Sequence, residues 1–437
     1  MAKKFTFSML AALSLSATVC AENVALFSFQ LPQTAVGKSM TLNISTTDNQ
    51  SVMVDWGDGK LSDPVATKNY DETWEYGTPS GKVAGTTVTV YGSDAATVND
   101  LDLMWDKEAG EETKILAINL SNLSGVVTLS LGSNALESLD LTGNPALKTL
   151  SVNGNRITDI KFPESCSITK IEAQNTADAG ENNLFNVDLS KAPALSNLNI
   201  SFNNKDGEAA TISLDGNPEL TTFIATDCNL ETIDVSGLSK LAQLTVNNNR
   251  LTTVDVSMMS DKGRLFAMNN LLSSLVLPEA LATLSVANNK LTFATLPPAS
   301  IAKAYTYDNQ KPMVVEVADG KVDLSSQAMV GDVETVYSWT ADSEEFIDFT
   351  EAGGVFTFTK SAENAVCSMT NASLPKLTLT TVPVNVVVDS SAVEGIDAAD
   401  SDSAVEYFNL QGVKVSGDAP GVYIRRQGSK TDKVIIR

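Results

Sequence analysis

The sequence predicts a multidomain, mainly β protein: a solenoid of about nine 21-residue repeats with little helix, flanked by β-sandwich modules. Three observations lead to this fold class. A pattern of apolar residues recurs with a period of about 21 residues through the middle of the chain. Short runs of alternating apolar and polar residues, separated by turn residues, lie on both sides of it. The length of 437 residues suits about three folded domains.

The repeated unit has two apolar residues two positions apart, followed by a polar residue. Its clearest copy is Leu244, Val246 and Asn249. Six further copies begin at Leu129, Leu150, Leu198, Phe223, Leu265 and Leu284, and two degenerate copies pair Ile171 with Thr176 and Ala304 with Asn309. The polar position is Asn in the regular copies except at Cys228, and most neighbouring copies are separated by one period.

This pattern resembles the leucine-rich repeat, which has the same period and the same Asn-or-Cys position. Alternating apolar residues form a short strand with one buried face, and stacked copies form a parallel sheet over a continuous core. The Asn amide can both donate to and accept from backbone groups where the chain turns. A second column of the type Leu139-Asp140-Leu141 predicts an extended return segment. The leucine-rich-repeat array is therefore placed at residues 113–311.

Two intervals within the array are longer than the period. They run from Thr176 to Asn203 and from Asn203 to Cys228. The additional residues, ADAGENN and NKDGEAA, are polar and follow the Asn column in both cases, so we expect two neighbouring loops on one rim. Such loops either belong to a binding site or are insertions that the fold tolerates, and the residues leave both explanations open.

Residues 1–21 have the features of a secretory signal peptide. Lys3 and Lys4 precede an apolar stretch, residues 5–19, and Cys20 and Ala21 follow at the expected cleavage site. Lipoprotein processing at Cys20 is the alternative. After cleavage three cysteines remain: Cys166, Cys228 and Cys367. An odd, widely spaced set is a poor disulfide framework, so buried free thiols are expected.

Residues 22–112 form the first flanking module. Runs such as MTLNIS and TTVTVYG predict an antiparallel β module that covers the first repeat. The segment VDWGDG resembles the strand-turn signature of polycystic-kidney-disease-like β-sandwich modules, which implies a core position for Trp56 and a tight turn after it. We interpret Asp55 and Asp58 as turn residues, because a calcium loop needs more oxygen ligands at regular spacing.

Three segments follow the array. Short alternating strands within residues 312–388 predict an Ig-like β module, and the acidic stretch 389–404 predicts a linker. Residues 405–437 have strand-turn-strand character. Their NLQG, PGVYI and KVIIR segments resemble the C-terminal sorting domains that direct cargo through the type IX secretion system of Gram-negative bacteria. The resemblance implies export to the surface; the alternative is a terminal hairpin that packs on the preceding module.

The composition excludes several functional classes. The chain has 53 acidic and 30 basic residues, and its net charge of −23 disfavours nucleic acid and anionic membranes as partners. Histidine is absent, which excludes Ser-His-Asp triads, Cys-His dyads and histidine-ligated zinc sites. The Ser-x-x-Lys string at residues 167–170 overlaps repeat core positions and lacks companion motifs. We expect a protein that is not an enzyme and that binds no cofactor or metal.

Alternation within each repeat strand identifies the side chains that point away from the core. In the early copies these are small or polar. In the later copies the predicted ligand-binding residues are Ile224, Phe266, Met268, Tyr305 and Tyr307. An apolar and aromatic cluster on an outer face indicates a contact surface. Packing of the two tyrosines against the following module is the alternative.

The sequence thus predicts an exported, non-catalytic, adhesin-like recognition protein. We expect it outside a Gram-negative bacterium or on its surface, where the repeat sheet binds an extracellular protein or glycan. Neither nucleic acid nor an integral membrane span is expected. Two alternatives stay open: a structural spacer or surface-layer component without a specific ligand, and a glycan or peptide hydrolase with an unrecognised carboxylate site.

Overall fold

The structure is a computed structural model that describes residues 23–68, 76–176, 180–204, 207–388, 404–427 and 430–436. The predicted signal peptide lies outside these ranges, as does the predicted linker except for its last residue. The chain divides into two compact units. The first contains Met1–Met313, Met329–Val336 and Thr370–Leu379, and the second contains Val314–Ala328, Tyr337–Met369 and Thr380–Arg437.

The N-terminal module supplies strands to both layers of the solenoid. The strands before the first repeat strand are β1 (Val24–Gln30), β2 (Ser39–Thr41), β3 (Asn43–Thr46), β4 (Ser51–Asp55), β5 (Val65–Ala66), β6 (Ser80–Lys82), β7 (Thr87–Gly92), β8 (Val98–Asp102) and β9 (Ala117–Asn119). An antiparallel sheet has the order β5-β4-β7-β1-β9, and β9 is the first return segment. β3 pairs with β8, and β8 joins the main repeat sheet. The first repeat therefore has no open edge.

The turn after β4 shows why the VDWGDG segment needs glycine. The Asp55 carboxylate accepts hydrogen bonds from the N–H groups of Gly57 (2.8 Å) and Gly59 (3.0 Å). Both glycines have positive φ, and a Cβ on Gly57 would lie 2.5 Å from the backbone nitrogen of Gly85. Trp56 is buried. Asp55 is therefore a turn residue, and only glycine fits at position 57.

The repeat strands stack in parallel without a break. Together with its return strands, the array contains β10 (Thr128–Ser130), β11 (Ser138–Asp140), β12 (Thr149–Ser151), β13 (Asp159–Lys161), β14 (Lys170–Glu172), β15 (Asn197–Asn199), β16 (Thr222–Ile224), β17 (Gln243–Thr245), β18 (Thr253–Asp255), β19 (Arg264–Phe266), β20 (Ser274–Val276), β21 (Leu281–Ser285) and β22 (Ala302–Thr306), of which β11, β13, β18 and β20 are the return strands. The main sheet has eleven strands in the order β22-β21-β19-β17-β16-β15-β14-β12-β10-β8-β3. Its nine strands from β10 to β22 confirm the predicted number of repeats.

The return segments form a second, discontinuous layer. β11 pairs with β13, and β18 pairs with β20, so these four copies are extended as predicted. Between them two 3-10 helices, Leu184–Asn186 and Leu189–Lys191, replace the strand. The interruption covers the return segments at Val187, Ile212 and Ile233, of which the first two belong to the copies that exceed the repeat period.

A ladder of buried side-chain amides runs along the array. Nδ2 of Asn249 donates to the carbonyl oxygens of Ala225 (2.8 Å) and Val246 (3.0 Å), and its Oδ1 accepts from the N–H groups of Cys228 (3.1 Å) and Leu230 (3.0 Å). Equivalent bonds are made by Asn134, Asn155, Asn203, Asn270 and Asn289. Each amide satisfies backbone groups of its own repeat and of the preceding one.

In the third repeat copy, the ladder position is occupied by a different residue from the predicted one. The sequence predicts Thr176 at this position, but Thr176 is exposed and Asn182, at the end of the first insertion, occupies it. Nδ2 of Asn182 donates to the carbonyl oxygens of Val152 (2.8 Å) and Ala173 (3.2 Å), and its Oδ1 accepts from the N–H of Ile157 (2.8 Å). The prediction for Thr176 is wrong because the insertion brings the amide of Asn182, with two donors and an acceptor, to this position.

The three cysteines in the described part of the chain are free thiols. Cys228 and Cys367 are buried, as predicted, whereas Cys166 is only half-buried because it lies in the loop before a repeat strand. The Sγ of Cys228 donates to the carbonyl oxygens of Ile200 (3.2 Å) and Thr226 (3.4 Å). Cys228 thus fills the donor role of the ladder, as the leucine-rich-repeat pattern implies.

A second β module follows the array. Its strands and those of the C-terminal segment are β23 (Val317–Ala318), β24 (Lys321–Asp323), β25 (Met329–Val330), β26 (Val333–Glu334), β27 (Val336–Ala341), β28 (Glu344–Glu345), β29 (Phe349–Ala352), β30 (Val355–Phe358), β31 (Ala362–Thr370), β32 (Thr378–Thr380), β33 (Val384–Val386), β34 (Val405–Phe408), β35 (Lys414–Val415), β36 (Gly421–Gln427) and β37 (Lys430–Ile436). One sheet has the order β23-β24-β30-β29, and β27 belongs to another. Trp339 on β27 is buried, with its ring centroid 5.4 Å from that of Phe356 and 5.1 Å from that of Phe358. These aromatic rings form the core between the two sheets.

The C-terminal segment forms an antiparallel sheet in the order β35-β34-β36-β37. Ion pairs join its strands: Arg425 to Asp432 and Arg426 to Glu406, both at 2.6 Å. The side chains that are described in this sheet are exposed or half-buried. The sequence predicts strand-turn-strand character here, and the structure has four strands.

Helix is scarce in the described part of the chain. It is limited to short 3-10 helices at Gln33–Ala35, Ala95–Thr97, Lys107–Ala109, Glu111–Thr113, Leu184–Asn186, Leu189–Lys191, Ala299–Ile301 and Ser325–Gln327. Within the same residues, no helix has the length and apolar character to cross a membrane. The prediction of a mainly β protein with little helix is confirmed.

We expect Asn249→Ala to lower the melting temperature of the array by several degrees. The change removes two donated and two accepted bonds inside the core, and each buried group left unsatisfied costs about 1–3 kcal/mol. Thermal unfolding followed by circular dichroism measures the effect. Asn186→Ala, at an exposed position, is the matched control and should melt like the wild type. Equal melting of both variants would contradict the structural role of the ladder.

Candidate functional site on the outer face of the repeat sheet

The outer face consists of the side chains that the repeat strands direct away from the core. Leu129, Leu150, Leu198, Leu244 and Leu265, which point inward, are almost fully buried. The outward residues of the later strands are Thr222, Ile224, Thr226, Gln243, Thr245, Asn247, Arg264, Phe266, Met268, Thr283, Ser285, Ala287, Ala304, Thr306 and Asp308. We call this set the late half. Because each strand is hydrogen-bonded to its neighbours, these side chains have fixed positions relative to one another.

The structure brings three of the five predicted residues together. Ile224, Thr245 and Phe266 are direct neighbours on three successive strands. Ile224 and Phe266 are therefore about 10 Å apart along the sheet. Met268, two residues after Phe266, points to the same side of the sheet. Ile224, Phe266 and Met268 are all half-buried. We call Ile224, Phe266, Met268 and the neighbouring Ala287 the apolar patch.

Tyr305 and Tyr307 do not belong to this patch. The register pairs Leu284 with Tyr305 and Ser285 with Thr306, so both tyrosines point toward the core. Tyr307 is 4% exposed, and Tyr305 donates a hydrogen bond from its hydroxyl to the carbonyl oxygen of Pro297 (3.3 Å). Burial also raises the pKa of Tyr305. The prediction that these tyrosines lie on the outer face is wrong.

The ladder explains the error. Gln310, not Asn309, takes the ladder position: its Nε2 donates to the carbonyl oxygens of Val286 (2.9 Å) and Tyr307 (2.8 Å), and its Oε1 accepts from the N–H of Asn289 (3.2 Å). The last copy is thus shifted by one residue, which moves every side chain to the other face. The spacing does not decide this register, because Asn309 and Gln310 follow Asn289 by 20 and 21 residues, and the interval before them, from Asn270 to Asn289, is 19 residues.

Charge is distributed unevenly over the outer face. Within the late half only Arg264 and Asp308 are charged. The strands before it carry Asp100, Asp102, Lys170 and Glu172, and Lys170 and Glu172 form an ion pair at 2.7 Å. A surface whose centre is apolar and poor in charge has the composition of a protein contact.

Asp100, on the outer face of β8, is not among the residues that the sequence pattern predicts for a site. The residue is 4% exposed, and its Oδ1 accepts a hydrogen bond from the Tyr76 hydroxyl (3.2 Å). Burial raises the pKa of Asp100 to about 6; the Tyr76 and Thr128 hydroxyls act against this, and the charge of Asp102 adds to it. No periodic signal identifies this residue, because β8 precedes the regular repeats and is separated from the next copy by more than one period.

Potential metal ligands are not clustered in the part of the chain that the structure describes. No group of three or more His, Cys, Asp or Glu side chains there could hold a metal ion. A groove of about 300 Å³ lies on the return side, between residues 211–215 and 232–234. Its ionisable lining residues are Asp215 and Asp234, and Asp234 is already bonded to the Ser236 hydroxyl (2.7 Å).

We expect Asp100→Asn to stabilise the protein at neutral pH but not at pH 4. A carboxyl with a raised native pKa contributes stability below its unfolded pKa and loses it as the pH rises through about 6. The variant has no charge to bury, so its melting temperature should exceed that of the wild type by an amount that grows from pH 4 to pH 7.5. Thermal unfolding at both pH values tests this. A constant difference would contradict the raised pKa.

Asp234→Asn provides a control of opposite sign. The hydrogen bond from the Ser236 side chain lowers the pKa of Asp234, so this carboxylate stabilises the fold above its unfolded pKa and loses that effect as the pH falls. The variant should therefore melt below the wild type at pH 7.5, and the difference should shrink toward pH 3.

Comparisons with known proteins give distant matches only among solved structures. No protein-family model and no curated protein matches the chain. Among solved structures, the chain is similar to the functional domain of InlJ from Listeria monocytogenes, which includes a cysteine ladder, with 17% identity over 66% of this chain and 67% of that chain and a TM-score of 0.46. It is also similar to the leucine-rich repeat domain of APL1B, with 16% identity over 60% of this chain and 73% of that chain and a TM-score of 0.30. The assignment rests on the register and the amide ladder: the chain contains a leucine-rich-repeat solenoid.

Proposed function

We propose that this chain is an exported, non-catalytic recognition protein that binds a partner protein through the late half of the outer face. One observation carries the proposal: within the apolar patch, the large and half-buried side chains of Ile224, Phe266 and Met268 lie together on a half of the face in which only Arg264 and Asp308 are charged and most other residues carry hydroxyl or amide groups. Large apolar side chains on a solvent face are unfavourable without a partner. Aromatic residues, Met and Arg are also the types enriched at the centres of protein interfaces.

The apolar patch rests on a rigid part of the fold. Leu244 and Leu265, directly beneath it, are fully buried, and the N–H of Met268 donates to Oδ1 of Asn247 (2.8 Å). Ile224 and Phe266 therefore stand on a hydrogen-bonded sheet, and Met268 and Ala287 lie two residues after strand ends, where their carbonyl oxygens accept from the N–H groups of Asn248 and Asn269. A rigid surface loses little conformational entropy on binding.

A protein fits this patch better than a glycan does. The apolar side chains are branched or flexible around a single aromatic ring, and the surrounding outward residues are mostly Thr and Ser. Apolar burial is the dominant favourable contribution to protein association. A glycan as the ligand of the same face is the other outcome of the binding experiment below.

Several features support a non-catalytic role. The chain has no histidine. Burial raises the pKa of Cys228 and of Cys367 to about 12, so these thiols are poor nucleophiles at neutral pH. Asp100 has a raised pKa but is covered by the Tyr76 hydroxyl. A glycan or peptide hydrolase would need Asp100 and its neighbour Asp102 to face the substrate together, and Asp100 is 4% exposed.

Export rests on the sequence. The basic and apolar start of residues 1–21 supports secretion, and the resemblance of residues 405–437 to sorting domains supports a final location on or outside a Gram-negative cell. β34 to β37 form a sheet of their own within the second compact unit. A structural spacer without a specific ligand is the competing role for an exported solenoid.

We expect Phe266→Ala and Met268→Ala to weaken partner binding by about 1–3 kcal/mol each while leaving the melting temperature unchanged. The purified chain is first probed against arrays of extracellular proteins and of glycans, and affinities for a protein that binds saturably are then measured by biolayer interferometry. Ser130→Ala, in the same column of the early half, is the matched control and should bind like the wild type.

Other outcomes discriminate between the alternatives. Equal affinity of the wild type and the Phe266→Ala, Met268→Ala double variant would remove the late half from consideration. The absence of any saturable ligand would favour the spacer. Release of products from a glycan or peptide would favour the hydrolase.

We expect the native protein to begin at Glu22, because cleavage after Ala21 fits the small residues at the end of the apolar stretch. Intact-mass spectrometry of protein isolated from its own cells measures this. Retention of Met1 would contradict export by this signal, and a lipid on Cys20 would show lipoprotein processing instead.

A further inference from the structure

A row of exposed or half-buried side chains runs along the rim of the array beside the ladder. Each member directly precedes a ladder residue and has a φ between +56° and +61°: Phe202, Asp227, Asn248, Asn269 and Asn288. We call these five residues the rim row. The left-handed conformation accounts for the Asn and Asp, which tolerate it better than other non-glycine residues do. The equivalent positions in earlier copies are Ser133 and Gly154, also with positive φ.

The polar members of the rim row are bonded to one another in one direction. Nδ2 of Asn248 donates to Oδ2 of Asp227 (2.9 Å), that of Asn269 to Oδ1 of Asn248 (2.6 Å), and that of Asn288 to Oδ1 of Asn269 (2.6 Å). An amide has two donor hydrogens and two acceptor lone pairs. Within the row, Asn248 and Asn269 each use one of each. Each therefore presents one donor and one acceptor to solvent, at the spacing of the strands.

The left-handed backbone conformation of the rim row does not favour a phenylalanine at position 202. A bulky side chain at φ +60° is strained, and Ser, Gly or Asn would relieve the strain. The residue is half-buried, and the segment that follows it is held by the bond from Asn204 Nδ2 to the carbonyl oxygen of Glu208 (2.8 Å). Strain that the fold does not require is a feature of functional positions.

We propose that the rim row is a binding site for a linear neutral polysaccharide, separate from the apolar patch. A hydroxyl group both donates and accepts, so a pair of sugar hydroxyls matches the donor and acceptor that Asn248 and Asn269 leave free. The ring of Phe202 offers an apolar face to the C–H groups of a sugar at the head of the row. A ligand with a regular repeat fits the row because the row itself repeats with the strands, about 4.8 Å apart.

The charges of the row select against other ligands. The row contains one carboxylate, Asp227, and no cation, and the whole chain has a net charge of −23. Anionic polysaccharides and phosphorylated ligands are therefore repelled. The row has a single apolar member, which is too few for a protein hot spot. This inference goes beyond the proposed protein partner, since the two sites share no residue.

Affinity gel electrophoresis of the full mature chain tests the proposal. The native gels contain a mixed-linkage β-glucan, a xyloglucan, a galactomannan or an arabinoxylan, and polygalacturonate serves as the anionic control. We expect retardation by at least one neutral polysaccharide and none by polygalacturonate. Retardation by none of the four neutral polysaccharides would overturn the proposal.

Two variants separate binding from folding. Phe202→Asn places in the strained position the residue that other copies have, so it should raise the melting temperature while it weakens polysaccharide binding about tenfold or more. Asn248→Gly keeps the left-handed conformation, as at Gly154, and removes one donor and acceptor pair. It should also weaken binding.

The apolar patch supplies the remaining control. Phe266→Ala should bind polysaccharide like the wild type, because Phe266 is not in the rim row. Loss of retardation in Phe266→Ala with retention in Phe202→Asn would overturn the rim site and assign the glycan to the outer face. Failure to find a protein partner would leave the result for the rim row unaffected.

Discussion

The buried amide ladder is the constraint on which the rest of the solenoid depends. Every turn of the chain leaves backbone N–H and C=O groups inside the core, where each unsatisfied group is costly. Asn249 pairs with four of them, in its own repeat and in the preceding one. Because the ladder residue must reach back into the previous turn, it fixes the register of the strand before it. The register in turn determines which side chains are buried, which lie on the rim and which form the outer face.

Departures from asparagine in the ladder show what the position requires. Gln310 has the same amide and supplies both donor and acceptor. Cys228 supplies a donor, but a thiol is a weak acceptor. The N–H of Ala210 is instead bonded to the carbonyl oxygen of Asn229 (3.0 Å), and Nδ2 of Asn229 donates to the carbonyl oxygen of Asn204 (3.0 Å). These two bonds of Asn229 therefore hold the second insertion in place of the bond that the side-chain oxygen of a ladder Asn would accept.

One scaffold thus presents two chemically different surfaces. The outer face combines an apolar patch with hydroxyl and amide side chains, and two of the outward residues of its late half are charged. The rim row is polar and repeats with the strands, with a single aromatic residue at its head. Both surfaces arise from the same sequence repeat. The residues of the outer face precede the turn of each repeat, and the rim residue with positive φ lies within that turn. A binding role requires only that these positions vary while the ladder and the leucines do not.

The sequence by itself determined the period, the leucine core, the number of repeat strands and the outward positions of Ile224, Phe266 and Met268. These follow from alternation and from a polar residue that recurs once in each repeat, and both are local patterns. The flanking β modules were also recognisable, because turn residues separate their strands.

The tertiary structure alone decided the roles of Gln310, Asn182 and Asp100. At these positions the sequence pattern either accepts more than one residue or gives no signal. Asn309 and Gln310 both carry an amide, and only the hydrogen bonds to Val286 and Asn289 in the preceding turn place Gln310 inside and Tyr305 in the core. Asn182 replaces Thr176 because an insertion brings its amide back to the carbonyl of Val152. Asp100 is buried on β8 by a tyrosine from a distant segment. In each case the deciding partner is at least one whole repeat away along the chain, beyond the reach of any local pattern.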